Sequence, residues 1–286
     1  MTLDQNGVIS TATAFFFENA GVSFVVTNWH VVSGKHFLTK QPIDGQGRCP
    51  SRILAKLATY EVGDAERQEF GIAPFEIPLY EQEQPVWFEH PTFGSYCDVV
   101  AIPLERPKSC PSNLHRPANR MSSIRIPVEP GGLVFIVGFP EGVSVGFGLP
   151  LWKSGYIASE PHYDVNVGGT QREFGGLEGG TRVPAFFVDS QTRRGMSGSP
   201  VFARYIGSWD GRDPYRKTDP FEDPDFLDRE DYFVSAVGTE FVGCYSGRVL
   251  AREDGAAVGL CWRRDIVEEI CSAGQVGQHP HVRYAR

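Results

Sequence analysis

Short apolar runs separated by turn residues recur along the chain, and they read as strands. Phe15, Phe16 and Phe17 lie in a run from Thr11 to Glu18, the turn Asn19-Ala20-Gly21 follows, and a second run extends from Val22 to Trp29. Two β-prone runs around a tight turn predict a hairpin. From Lys35 to Phe93 the pattern loosens. Stretches such as Ser51 to Tyr60 alternate with loops carrying Asp44-Gly45, Gly63-Asp64 and Pro85, which predicts further strands of the same sheet. Asp98 then leads into the apolar run Val99 to Leu104. Beyond a Pro/Ser/Asn/Arg-rich stretch from Arg106 to Arg125, strand patterns resume over Gly131 to Pro140, Trp152 to Ser159, Ala185 to Val188, Val201-Phe202, Tyr232 to Val242 and Ala256 to Trp262. Ile266, Val267 and Ile270 share one helical face, so a short amphipathic helix is expected over Asp265 to Ile270. The last dozen residues are expected to fray.

Composition strengthens the all-β reading. The 32 glycines and 21 prolines are spread through the 286 residues rather than clustered, as many turns between short strands require. With 41% hydrophobic and 22% charged residues the chain has ordinary globular composition, and its length suffices for a large core. A net charge of -8 with no long basic run excludes nucleic acid as the principal partner. The start of the chain has neither a basic n-region nor an apolar h-region, and no stretch reaches the roughly 20 apolar residues of a membrane span, so neither export nor membrane insertion is expected. Six cysteines without a CxxC motif, in a chain read as cytoplasmic, are expected to be free thiols. No His/Cys cluster has metal-ligand spacing, and no cofactor or metal is expected.

The candidate chemistry centres on Arg194-Gly195-Met196-Ser197-Gly198-Ser199-Pro200. A serine between two glycines describes a tight turn whose backbone N–H groups converge on one point, which suits a nucleophile with its own oxyanion hole. By itself the string equally suits a surface turn. A serine hydroxyl needs a base, and the base needs an orienting group. His30 ends an apolar strand in Thr27-Asn28-Trp29-His30-Val31-Val32, where a rigid scaffold can present a base. Asp98, at the head of an apolar run, must be at least partly buried and hydrogen-bonded.

His30, Asp98 and Ser197 follow in that order, each in the local context the chemistry needs. The motifs TNWHVVSG, DVVAIPL, GMSGSP and GCYSGR, spread between about Thr11 and Ile270, resemble those of chymotrypsin-like (trypsin-like) serine proteases, in particular stand-alone intracellular bacterial members. The resemblance implies two packed six-stranded antiparallel β-barrels with the site in the cleft between them, followed by the short helix. It places one peptidase domain over residues 1–286, with sub-barrels at 8–105 and 126–262 and a linker at 106–125. In family terms His30 and Asp98 come from the first barrel and Ser197 from the second. Gly195 and Ser197 supply the oxyanion N–H groups, and Tyr245-Ser246-Gly247 pairs with the substrate backbone.

Departures from secreted trypsins are informative. Met196 stands where their zymogen-activation aspartate stands, so maturation by N-terminal cleavage is not expected. Gln191, six positions before Ser197, takes the place of the specificity-pocket base, with Thr192 beside it and Arg248 at the rim. No acid stands there to receive Lys or Arg. The resemblance implies a serine endopeptidase acting on protein or peptide substrates through an acyl-enzyme. A protease-like binding module that holds peptide without turnover is the second reading, and an esterase the third. The latter is disfavoured because the chain continues as strand after Ser197, with no nucleophile elbow and helix. Finally, residues 204–231 are rich in acids, with Tyr205, Trp209, Tyr215, Phe221 and Phe226 among them. Such an insert is usually a solvated loop, but its aromatics make it a candidate dock for a regulatory protein.

Overall fold

The computed structural model describes residues 1–62, 68–104, 115–121, 125–146, 148–167, 170–171, 177–178, 180–210, 233–250 and 258–281. The amino-terminal half carries β1 (Thr2–Asp4), β2 (Gly7–Ser10), β3 (Phe15–Asn19), β4 (Val22–Thr27), α1 (Trp29–Ser33), β5 (Arg52–Val62), β6 (Gln68–Pro78), β7 (Tyr80–Glu81), β8 (Gln84–Pro85) and β9 (Val100–Pro103). The carboxy-terminal half carries β10 (Leu133–Gly138), β11 (Leu151–Ile157), β12 (Val165–Val167), β13 (Thr170–Gln171), β14 (Leu177–Glu178), β15 (Thr181–Val183), β16 (Ala185–Asp189), β17 (Pro200–Asp210), β18 (Phe233–Leu250), β19 (Val258–Arg263) and α2 (Arg264–Ala273).

Six of these strands close into a barrel in the order β10-β11-β16-β19-β18-β17, as expected for the second half. Period-2 alternation turns Val134, Ile136, Ile157, Phe186, Val188, Val201 and Cys261 into one buried cluster. Among the described residues the first half is laid out as three sheets, β2-β1-β5-β6, β3-β4-β9 and the small pair β7-β8, rather than the single sheet read from the pattern. Its hairpin β3/β4 is the predicted one, whereas the β1/β2 hairpin, turning at Asn6-Gly7, lies ahead of the first strand signal recognised in the sequence.

The two halves share a second core. Phe15 and Phe17 of β3 lie 5.5 and 5.9 Å from the ring of Phe241 on β18, and Phe37 lies 5.9 Å from Trp262 on β19. Ile266, Val267 and Ile270 of α2 close the same cluster. Aromatic pairs of this kind add about 0.5–1.5 kcal/mol each beyond their buried area. This seam fixes how the His30 half faces the Ser197 half.

Two expectations change. Residues 274–281 do not fray: Glu89 donates to the Gln275 carbonyl, Gly277 donates to Trp87, and Lys35 Nζ donates to the Pro280 carbonyl at 2.6 Å. The acid-rich insert begins later than its composition suggests, because residues 204–210 continue β17 and pair with β18 as far as Asp210 opposite Phe233. Trp209 is buried, stacks edge-on to Tyr205 at 5.4 Å and donates its indole N–H to the Arg125 carbonyl at 2.7 Å. Trp209 thus belongs to the buried cluster and Tyr205 packs partly buried against it; residues 211–231, with Tyr215, Phe221 and Phe226, lie outside the described residues.

Of the cysteines, Cys49, Cys97, Cys244, Cys261 and Cys271 are free, and Cys110 lies outside the described residues. Burial pushes the thiols of Cys97, Cys244 and Cys261 well up and that of Cys271 up to about 12. Thiolate is the reactive form, so Cys49, the exposed one of the five, is expected to alkylate first in the native protein. Cys97, Cys244 and Cys261 are expected to react only on unfolding. Iodoacetamide labelling followed by peptide mapping reads the order directly, and rapid native labelling of Cys97 would contradict the packing described.

Candidate active site

His30 is the one residue of the α1 turn left half-open. Trp29, Val31, Val32 and Ser33 are buried, and Gly34 ends the turn at φ 69° with its N–H on the His30 carbonyl at 3.0 Å. A side chain at Gly34 would press to 2.9 Å from the Arg48 carbonyl oxygen. The sequence reading put His30 at a strand end; a single helical turn carries it instead. Glu89 braces that turn, accepting from Trp29 Nε1 at 2.9 Å and Trp87 Nε1 at 3.1 Å. Burial pushes the Glu89 carboxyl up, and the two indole bonds draw it back. Lys40 Nζ completes the support, donating to the carbonyls of Phe37 and Ser95 and lying over the rings of Trp29 and Tyr96 at 4.3 and 4.2 Å. Its burial pushes the amine down to about 8.

Asp98 lies just ahead of β9, and its side chain is fully buried. Oδ1 accepts the backbone N–H of His30 at 2.9 Å, and Oδ2 accepts His30 Nδ1 at 2.7 Å. Ser246 Oγ donates to the same Oδ2, and Asn28 Nδ2 holds the Asp98 carbonyl at 2.7 Å. With the carboxylate accepting, the ring hydrogen is on Nδ1, which leaves Nε2 to take a proton. The Ser246 hydroxyl is therefore committed to the acid, which leaves its backbone as the part that could pair with substrate.

The Ser197 turn is built for close approach. Gly198, at φ 82°, faces the Thr13 carbonyl and Thr27 Oγ1, where no Cβ fits. The Ser197 carbonyl accepts from Thr13 N–H at 2.8 Å, and Gly198 N–H donates to Tyr245 at 2.9 Å. Ser197 Oγ lies 3.9 Å from the Cβ position of Gly247, one residue from the Ser246 that touches Asp98. His30, Asp98 and Ser197 thus converge on the seam. Among the described residues no hydrogen bond joins Ser197 Oγ to His30, a contact that in unliganded sites often tightens only with substrate.

Gly195 has φ 89°, a conformation that suits glycine, and a Cβ there would strike the Phe139 carbonyl. The Arg194 carbonyl is turned toward Glu141 N–H at 2.7 Å. Across a trans peptide the next N–H points the opposite way, so the N–H of Gly195 is directed away from the 139–142 turn. Among the described residues neither Gly195 N–H nor Ser197 N–H donates to the protein. Their free donors match what an oxyanion hole requires.

Cys244 pairs with Pro200 at the start of β17, and Tyr245 still bonds the backbone of Gly198 and Ser199; beyond it β18 continues against β19, with Ser246 bulged between Tyr245 and Gly247. Among the described residues no strand pairs with the edge at 246–248 beside Ser197, the geometry that accepts an added strand. Of the residues expected to set specificity, Gln191 and Arg248 are both exposed. Thr192 is buried, and its Oγ1 meets Tyr245 Oη at 2.6 Å. The sequence pattern does not single out Thr13, Glu89 or Lys40; of these, only Glu89, a charge next to Trp87, Phe88 and His90, carries a signal.

The sequence model of the trypsin-like peptidase domain matches residues 12–208, well over half of the chain. The chain belongs to the trypsin-like peptidase family. No curated protein matches it in sequence. Among solved structures it is similar to the Rv3671c protease from M. tuberculosis in its active form, at 15% identity and TM-score 0.40 over 94% of this chain and 79% of that one. It is also similar to the HtrA-type protease AlgW with a tripeptide, at 14% identity and TM-score 0.42 over 93% of this chain and 57% of that one. No helix among the described residues is long and apolar enough to cross a membrane.

Proposed function

We propose that the chain is a serine endopeptidase that cleaves protein substrates through Ser197, His30 and Asp98 by way of an acyl-enzyme. The observation that carries this is the His30–Asp98 pair, hydrogen-bonded at both carboxylate oxygens, set across the seam from a serine turn with two undonated N–H groups. Ser197 Oγ attacks the scissile carbonyl carbon while its proton passes to His30 Nε2. The oxyanion settles on the N–H groups of Gly195 and Ser197. Collapse expels the amine, which takes the proton from His30 and leaves an ester on Ser197. Water then repeats the sequence and releases the carboxylic acid.

Met196 is buried within the apolar cluster of the barrel, so nothing at that position offers a carboxylate to a new N-terminus. This supports the reading that the enzyme is not activated by N-terminal cleavage in the manner of trypsin zymogens. A cytoplasmic setting, suggested by the free thiols, and a regulatory protein at 204–231 remain part of the proposal.

Fluorophosphonate labelling of the wild type, mapped by mass spectrometry, separates this reading from a silent peptide-binding module. Modification at Ser197, absent in His30→Ala, is expected. An unlabelled Ser197 in a protein that still binds peptide would favour the module.

A further inference from the structure

The free N–H of Gly195 depends on which way the Arg194–Gly195 peptide faces. The opposite flip would place the Arg194 carbonyl oxygen where the substrate oxyanion must sit, and like partial charges would repel it. Glu141 N–H holds one side of that choice, accepted by the Arg194 carbonyl at 2.7 Å. The next peptide is held from the other half of the molecule: Thr13 Oγ1 donates to the Gly195 carbonyl at 2.7 Å across 182 residues of sequence. The same oxygen accepts Phe139 N–H at 3.1 Å, and Phe139 opens the turn that contains Glu141. A single hydroxyl therefore ties both segments that set the peptide's direction, with its one hydrogen and one of its lone pairs each committed.

Thr13 is itself pinned. It is 3% exposed, its N–H donates to the Ser197 carbonyl at 2.8 Å, and its carbonyl accepts Thr27 Oγ1 at 2.8 Å. Gly138, at the end of β10, makes room for it: a Cβ there would lie 2.7 Å from Thr13 Oγ1 and would strike Ser199 Oγ. We infer that Thr13 is a positioning residue that holds the Gly195–Ser197 turn in the orientation that receives the oxyanion, an inference that rests on the serine-peptidase reading above.

The test compares Thr13→Val, which keeps the shape and removes the hydroxyl, with Thr13→Ser, which keeps the hydroxyl. Each full-length protein is assayed for peptide hydrolysis and for inhibition by a peptide aldehyde and by the matching peptide alcohol. Ser197 Oγ adds to the aldehyde carbon, its proton goes to His30, and the carbonyl electron pair becomes an oxyanion in the hole; the alcohol forms no such species. Since one oxyanion donor is worth about a hundred- to a thousandfold in kcat, a misdirected one is expected to lower kcat about ten- to a hundredfold in Thr13→Val, with KM within about twofold. Aldehyde affinity should fall by the same factor, alcohol affinity should hold, and Thr13→Ser should restore both kcat and aldehyde binding. Thr13→Ala carries the comparison if Thr13→Val does not fold. Equal weakening of aldehyde and alcohol, undiminished kcat without the hydroxyl, or no restoration by a folded Thr13→Ser overturns the inference alone. A wild type that neither hydrolyses peptide nor labels at Ser197 overturns the parent reading with it.

Discussion

Ser197→Ala is expected to lower kcat for peptide hydrolysis by about a million-fold, because the residual rate without a triad nucleophile comes from binding and the oxyanion hole alone. The fold should be untouched. Ser197 contributes its backbone carbonyl to Thr13, while its Oγ makes no hydrogen bond among the described residues, so truncation leaves no buried polar group unpaired. Thermal unfolding midpoints of variant and wild type are thus expected to agree within about a degree or two, surface-like substitutions being worth no more than about 0.5 kcal/mol. Asp98→Asn is predicted to behave differently. It replaces an oxygen that accepts from both His30 Nδ1 and Ser246 Oγ. An amide at either position would turn a donor toward a donor and upset the ring tautomer, lowering kcat by about ten-thousandfold. It should also lower stability, since the site is fully buried. Measurable turnover of Ser197→Ala above a trace would mean that another residue attacks the carbonyl.

Much of this site is legible in the sequence because each part of it has a local signature. Ser197 sits between glycines that its turn requires, His30 interrupts an apolar run, and Asp98 heads one. Apart from Glu89, a charge among aromatics, the supporting residues lack such a signature, since their partners are distant in the chain. Thr13 acts on Gly195, Asn28 on Asp98, and Trp29 on Glu89, contacts that exist only after the halves pack. The same holds for the fold. The strands of the second barrel are legible as apolar runs, several of them buried on consecutive positions, whereas the split of the first half into separate sheets is set by which edges meet, and the apolar pattern is silent on that. The single turn α1 is too short to leave a helical period, so it reads as the end of β4. Residues 274–281 look frayed because they are rich in Gly, Gln and His, yet their order comes from backbone bonds to residues 87–89, which composition does not reveal.

The specificity pocket shows the same division, and it leads to the second large effect expected: discrimination of about a thousandfold or more against Lys and Arg at P1. A peptide laid along the open edge at 246–248, with its carbonyl at Ser197, sends its P1 side chain between that edge and the segment 191–195. Tyr245 already occupies this space. Its ring lies against Gly259, whose Cβ position is 2.7 Å from Tyr245 Oη and 2.9 Å from Cζ, and the hydroxyl closes onto Thr192. Arg248 pairs with Gly259, so the ring lies beneath the rung that would wall the pocket. Among the described residues the floor is a phenol and a threonine hydroxyl that satisfy each other, and no carboxylate joins them. Nor can the nearby acids be recruited. Glu240 is engaged by Ile126 N–H at 3.0 Å and Arg264 at 3.3 Å, and Asp189 is exposed at the end of β16. An unpaired buried ammonium or guanidinium costs several kcal/mol, and each 1.4 kcal/mol is about tenfold. Small neutral P1 residues such as Ala, Ser and Val are therefore expected to be cleaved best in a peptide library. Tyr245→Val should open the space, raising kcat/KM for Leu or Phe relative to Ala by more than about tenfold, at a stability cost of about 2–4 kcal/mol from the cavity and the orphaned Thr192 hydroxyl. A wild type that prefers Arg or Lys would show that a carboxylate reaches the pocket. A Tyr245→Val protein with unchanged P1 ranking would show that the ring does not set its depth.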